Sequence, residues 1–258
     1  RGGLVKPTKT TKYWFDMSVL GERPNNDLLK KNNKKTHRQI IGEIVEVDWK
    51  KYEPFLRLNN YQRNFANNFL RRYNLKRTDL ILGLNTGSAD TWPKALPIKK
   101  TVKLIDELSN KYNAKIILFG GPNEIARNKE IARLSKSYIV DVGCGNDLFE
   151  FPALISICSL VISTDSLGLH LALALKRKTI ALIGPTSPSE IDMYGLGMKV
   201  ISKSKEVCTY KKATEKCMDK VSIEEIINCV KELISFKTTL IITSFKEPKT
   251  IGEAIKSA

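Results

Sequence analysis

Five short polar runs carry the residues of this sequence that could do chemistry, and each follows a short apolar run. Asn-Thr-Gly-Ser follows Leu84, Gly-Gly-Pro-Asn-Glu follows Phe119, and Gly-Cys-Gly-Asn-Asp follows Val142. Thr-Asp-Ser follows Ser163, and Gly-Pro-Thr-Ser follows Ile183. Glycines at such places let a ligand approach the backbone closely, and hydroxyls beside free N–H groups can hold a diphosphate. Asp165 is a carboxylate able to orient sugar hydroxyls or to stabilise positive charge growing at an anomeric carbon. It could equally be a helix N-cap, a position for which Ser166 competes. Glu124 could accept from both hydroxyls of a ribose, or simply offset the dipole of a helix start. His170 lies one turn into an apolar helix pattern, where a buried structural role competes with a phosphate or ribose contact.

These residues form one site only if the elements between them bring the runs to one edge. Short β-branched and apolar runs predict strands at Leu80–Leu84, Lys115–Phe119, Ile139–Val142, Leu160–Ser163, Thr179–Ile183 and Lys199–Ile201. Helical spacing of apolar residues predicts helices at Ile98–Tyr112, Glu124–Ser135, Leu148–Cys158, Leu167–Leu175 and Ile223–Ser235. Strands that are apolar on both faces and alternate with amphipathic helices make a parallel sheet covered on both sides. In such a sheet every loop after a strand opens on one rim, where ligands bind. Residues 79–235 therefore read as one Rossmann-like α/β domain with a nucleotide-binding crevice.

Residues 1–78 are polar, basic and irregular, with helices expected near His37–Val47 and Tyr61–Tyr73. The second presents Phe65, Phe69 and Leu70 on one face. This segment reads as the end of a domain that begins earlier. Residues 236–258 bring a fresh strand at Leu240–Thr243, a polar turn, and a helix opening near Pro248 and Thr250.

The 43 Lys and Arg against 27 Asp and Glu give a formal charge of +16. Such an excess draws anionic partners, from nucleotide sugars and phosphorylated glycolipids to nucleic acid. The lysines are spread widely, without the interleaved aromatics of a nucleic-acid platform, so no nucleic-acid partner is expected. The dense basic stretch from Lys30 to Arg38 leaves peripheral contact with a membrane open. Five scattered cysteines, with no C-x-x-C pair, give neither metal-ligand spacing nor a closed disulfide framework.

The motifs N-T-G-S…W-P, F-G-G-P-N-E, D-S-L-G-L-H and G-P-T-S-P-S-E-I, in that order, resemble the carboxyl-terminal half of the heptosyltransferases of glycosyltransferase family nine. The resemblance implies the GT-B fold, two Rossmann-like domains with a cleft between them, of which residues 79–235 would be the donor-binding one. The amino-terminal domain would then be incomplete, with 1–78 its remnant and hinge. It implies sugar transfer, usually of heptose from ADP-heptose, to a lipopolysaccharide or other glycan acceptor. Transfer would invert the anomeric centre, with no metal or other cofactor, at the cytoplasmic side of the membrane.

Carried over by motif, Thr86, Gly87 and Ser88 would face the diphosphate, Glu124 the ribose, and Asp165 the transferred sugar. Ser166 and the backbone of Leu167 would hold phosphate at a helix start, with His170 close behind and Pro185 and Thr186 lining the cleft. Two positions depart from the family pattern. Asp90 stands where members carry a diphosphate-neutralising lysine, a role Lys94 could take, and Leu167 stands where they carry glycine. Both departures favour the rival reading, a non-catalytic nucleotide- or glycan-binding module. The family's general base is a carboxylate early in the amino-terminal domain, a stretch not in this sequence. Residues 240–255 resemble the opening strand and helix of family-two glycosyltransferases, which implies the start of a GT-A domain.

Overall fold

The computed structural model describes residues 31–87, 93–207 and 216–235. Six parallel strands form its sheet: β1 (Ile81–Asn85), β2 (Lys115–Phe119), β3 (Ile139–Asp141), β4 (Leu160–Thr164), β5 (Lys178–Ile183) and β6 (Gly197–Ile201). Their order is β3-β2-β1-β4-β5-β6. The strand order therefore reverses between β1 and β4, whose carboxyl ends are level, Asn85 lying opposite Phe119 on one side and Ser163 on the other.

Eight helices accompany the strands among the described residues: α1 (His37–Ile44), α2 (Asn60–Arg72), α3 (Ile98–Tyr112), α4 (Ile125–Leu134), α5 (Glu150–Ser156), α6 (Leu167–Ala174), α7 (Lys216–Asp219) and α8 (Ile223–Ile234). The period-two alternation of each strand sorts its side chains between two cores. Leu82, Leu84, Ile116, Leu118, Leu160 and Ile162 pack with Leu104 and Ile105 of α3, Ile131 of α4 and Ile226 and Val230 of α8. On the other face Ile81, Ile117, Phe119 and Val161 pack with α5, α6 and α2. The α2 contribution is Ala66, Phe69 and Leu70, so the covering of the sheet draws on the segment before residue 79. An Asn59–Gln62 capping box starts that helix.

The strands and helices predicted between residues 79 and 235 are all present, with no end moved by more than two residues, and the helix expected at His37–Val47 ends three residues early, at Ile44. Two starts moved for a local reason. Pro122–Glu124 form a 3-10 turn because the Glu124 carboxylate accepts the Gly121 N–H at 2.7 Å, so α4 begins one residue later than expected. The Asp147 carboxylate accepts the N–H groups of Phe149 and Glu150, each at 2.7 Å, which delays α5 to Glu150. The turn at Trp49–Lys51 and the helix α7 carry too few residues to show periodicity, and the sequence does not announce them. Cys144, Cys158, Cys217 and Cys229 are buried free thiols. Cys208 and the strand and helix expected after residue 235 lie outside the described residues. Among the described residues no helix is long and apolar enough to cross a membrane.

Candidate functional site

Where the strand order reverses, the loops after β1, β2, β3 and β4 enclose a cavity of about 640 Å³. Asn85 and Gly87 come to it from β1, Gly120, Gly121 and Glu124 from β2, Asn146 to Leu148 from β3, and Asp165 to Gly168 from β4 and α6. Phe119 of β2, Phe151 of α5 and Lys94 complete the wall. This is the crevice at a topological switch point where open α/β sheets bind their ligands.

Helix α6 points its amino end into that crevice without a cap. Ser166 occupies the N-cap position in extended backbone, yet its side chain makes no capping hydrogen bond. Its hydroxyl turns back to the strand ends instead, accepting from Asn85 Nδ2 at 2.8 Å and lying 3.1 Å from Ser163 Oγ. Asp165 does not cap the helix either. The first N–H groups of α6, with the positive end of its dipole, are thus presented to the cavity as an anion seat. Gly168 lets the helix sit close: a Cβ there would lie 2.8 Å from Asn85 Nδ2. Leu167, whose side chain would crowd this approach if it turned inward, is 52% exposed.

Asp165 stands between two bases. Lys94 Nζ donates to its Oδ2 at 3.0 Å and to its carbonyl at 3.0 Å, and His170 Nε2 lies 3.6 Å from Oδ1. Burial opposes the ionised carboxylate, but the imidazole and the Lys94 ammonium outweigh it and hold the carboxyl at about 2. His170 itself is 60% exposed, so the buried structural role considered for it does not apply. A second, smaller cavity of about 70 Å³ lies against the same aspartate, lined also by His37, Arg38, His170, Ser187, Glu190 and Tyr194.

The expected residues divide accordingly. Gly87, Glu124, Asp165, Ser166 and Leu167 meet in the large cavity, and His170 meets Asp165 in the small one. Thr86 does not face the crevice: it is buried, with Oγ1 3.0 Å from the Phe119 carbonyl and 2.5 Å from Asn128 Oδ1, and it fastens β1 to β2 and α4. Pro185 and Thr186 are buried outside both linings, and Ser187 reaches the small cavity in their place. Ser88 lies outside the described residues. His37 and Phe151 line these cavities from outside the quoted runs, and Asn146 and Glu190 lie within quoted runs that gave them no role.

Residues 22–225 match the family described as glycosyltransferase family 9 (heptosyltransferase). A stretch of 110 residues is 30% identical to the lipopolysaccharide heptosyltransferase 2 of Escherichia coli strain K12, covering 41% of this chain and 30% of that protein. The chain thus spans less than a third of the length of the curated relative. Among solved structures, the family 9 glycosyl transferase of Veillonella parvula superposes with a TM-score of 0.68 at 19% identity, over 78% of this chain and 60% of that one. The ADP-heptose lipopolysaccharide heptosyltransferase II of E. coli superposes with a TM-score of 0.58 at 20% identity, over 70% and 54%.

Proposed function

Because this chain belongs to glycosyltransferase family 9, we propose that it forms the donor-binding half of an enzyme that transfers a sugar from a nucleoside diphosphate to a lipopolysaccharide or other glycan acceptor. The observation that carries this reading is the uncapped amino end of α6 facing a cavity walled by Asp165, Lys94 and Glu124. The diphosphate lies on the first N–H groups of α6, with the Ser166 hydroxyl and the Gly87 backbone beside it. Lys94 supplies the cation that the family pattern places at residue 90. Glu124 holds the ribose hydroxyls, and the base extends toward Asn146 and Phe151. The curated E. coli relative and the E. coli solved structure both carry the name heptosyltransferase II, in the latter with ADP-heptose, so an ADP-linked heptose is the donor we assign.

In the transfer an acceptor hydroxyl attacks the anomeric carbon as its proton passes to a general base. The carbon–oxygen bond to the diphosphate breaks, and the electron pair leaves with the diphosphate. Attack from the side opposite the leaving group inverts the centre. The helix N–H groups and Lys94 take up the charge growing on the leaving group, with no metal ion or other cofactor assigned. Asp165, ionised at any physiological pH, orients the transferred sugar and offsets positive charge at the anomeric carbon. We assign the enzyme to the cytoplasmic side of the membrane, in peripheral contact with it where the acceptor is a glycolipid.

The test is a thermal-shift screen of the protein against ADP-, GDP-, UDP- and CMP-sugars. A ligand at 100 times its Kd adds about 2.7 kcal/mol to the native state, and the ADP-linked donor is expected to raise Tm most. Turnover by the enzyme with both halves present, lost in a folded Asp165→Ala variant, supports the enzyme. Binding of donor without any turnover when both halves are present would favour the non-catalytic module.

A further inference from the structure

The chain has two histidines, far apart in sequence, and both line the small cavity beside Asp165. Each lies against a carboxylate, His170 Nε2 at 3.6 Å from Asp165 Oδ1 and His37 Nε2 at 3.3 Å from Glu190 Oε2. Glu190 is only 7% exposed. A carboxylate that deep costs several kcal/mol unless it is paired or hydrogen-bonded, so the pairing is part of the fold rather than an accident of the surface. The His37 ring itself is 49% exposed.

The neighbours of His37 hold it there. Its N–H donates to the Glu190 carbonyl at 2.9 Å, and Thr36 Oγ1 caps α1 by accepting the Gln39 N–H at 3.1 Å. Arg38 pairs with Asp192 at 2.9 Å and donates to the Tyr52 carbonyl at 2.9 Å. Its guanidinium carbon lies 4.7 Å from the centre of the Tyr194 ring and 5.1 Å from that of Trp49. The start of α1 is thus stapled to the loop after β5. Among the described residues no group of three or more His, Cys, Asp or Glu is placed to hold a metal ion.

The small cavity shares Asp165 with the large one, which places it at the sugar end of a donor whose diphosphate sits on α6. We infer that His37, oriented by Glu190, is a specificity-setting residue that hydrogen-bonds a hydroxyl of the transferred sugar, across the cavity from His170. This rests on the donor reading above. An imidazole fixed by a buried acid reads hydroxyl position better than a mobile side chain, because its orientation is settled before the sugar arrives.

The experiment compares, by calorimetry, the affinity of the protein for its best nucleotide sugar and for the matching nucleoside diphosphate. One net hydrogen bond corresponds to a factor of roughly 2 to 10 in Kd. His37→Ala is expected to weaken the sugar nucleotide by that factor and to leave the bare diphosphate unchanged. His37→Gln should recover part of the loss, and Glu190→Gln should lose part of it. Equal weakening of both ligands, or a fall in Tm with neither affinity changed, would overturn the role of His37 alone. A wild type that binds neither ligand would overturn the donor reading and this inference with it.

Discussion

At Asp165 burial penalises the charged form, yet the imidazole of His170 and the ammonium of Lys94 bring the carboxyl down from 3.8 to about 2. A folded value below the unfolded one means that the ionised carboxylate stabilises the native state fully above pH 4 or so. That stabilisation is lost as the pH falls through about 2. The difference corresponds to roughly 2 kcal/mol. Asp165→Asn is therefore expected to lower stability at pH 7 by roughly that amount, and the gap between variant and wild type should narrow below about pH 4 and close near pH 2. Urea midpoints measured across that range decide it. A gap constant with pH would mean that the carboxylate charge adds nothing beyond packing. That Asp165, Ser166 and Glu124 come to the crevice is legible in the sequence because polar residues at a strand end declare themselves locally. That Thr86 turns away from it is not, because its partners, Phe119 and Asn128, lie 33 and 42 residues away. His37 is silent for the same reason: nothing near it in the chain announces Glu190.

Helices are where periodicity speaks most clearly, and α2 shows both its reach and its limit. The spacing of Phe65, Phe69 and Leu70 foretells the helix, but not that it closes one face of the sheet beside α5. The link is Gln62, which has two tasks. Its Oε1 accepts the Asn59 N–H at 3.0 Å in the capping box, and its Nε2 donates to the Phe149 carbonyl at 3.0 Å. Asn59→Ala removes a cap alone and should cost about 1 kcal/mol. Gln62→Ala also strips a partner from the backbone just before α5, and should cost about 2 kcal/mol. Denaturant titration of the two variants checks the order. Equal losses would show that the bond to Phe149 contributes nothing. Helix starts at residues 122–125 and 147–150 are blurred for a related reason. There carboxylates bind backbone N–H groups, an interaction that competes with the helix and leaves no periodic mark.

Across the whole molecule the excess of positive charge and the position of the cavity argue for different partners, and the geometry weighs on one side. The sheet order puts the crevice between β1 and β4, and Lys94 is the only lysine or arginine in its wall among the described residues. An anion held there meets one ammonium and a helix end rather than a field of surface lysines. Salt screens exposed charges far more than those in a partly enclosed site. The affinity for ADP should therefore fall less than about tenfold as NaCl rises from about 50 to about 200 mM, whereas a protein using six to ten lysines on a nucleic-acid backbone loses on the order of 10³ to 10⁵. Lys94→Met should weaken ADP and flatten what salt dependence there is. Steep salt dependence that survives Lys94→Met would shift the weight to the outer lysines, and the +16 charge would then have to be read as a surface for a polyanion rather than as the background to a single enclosed diphosphate.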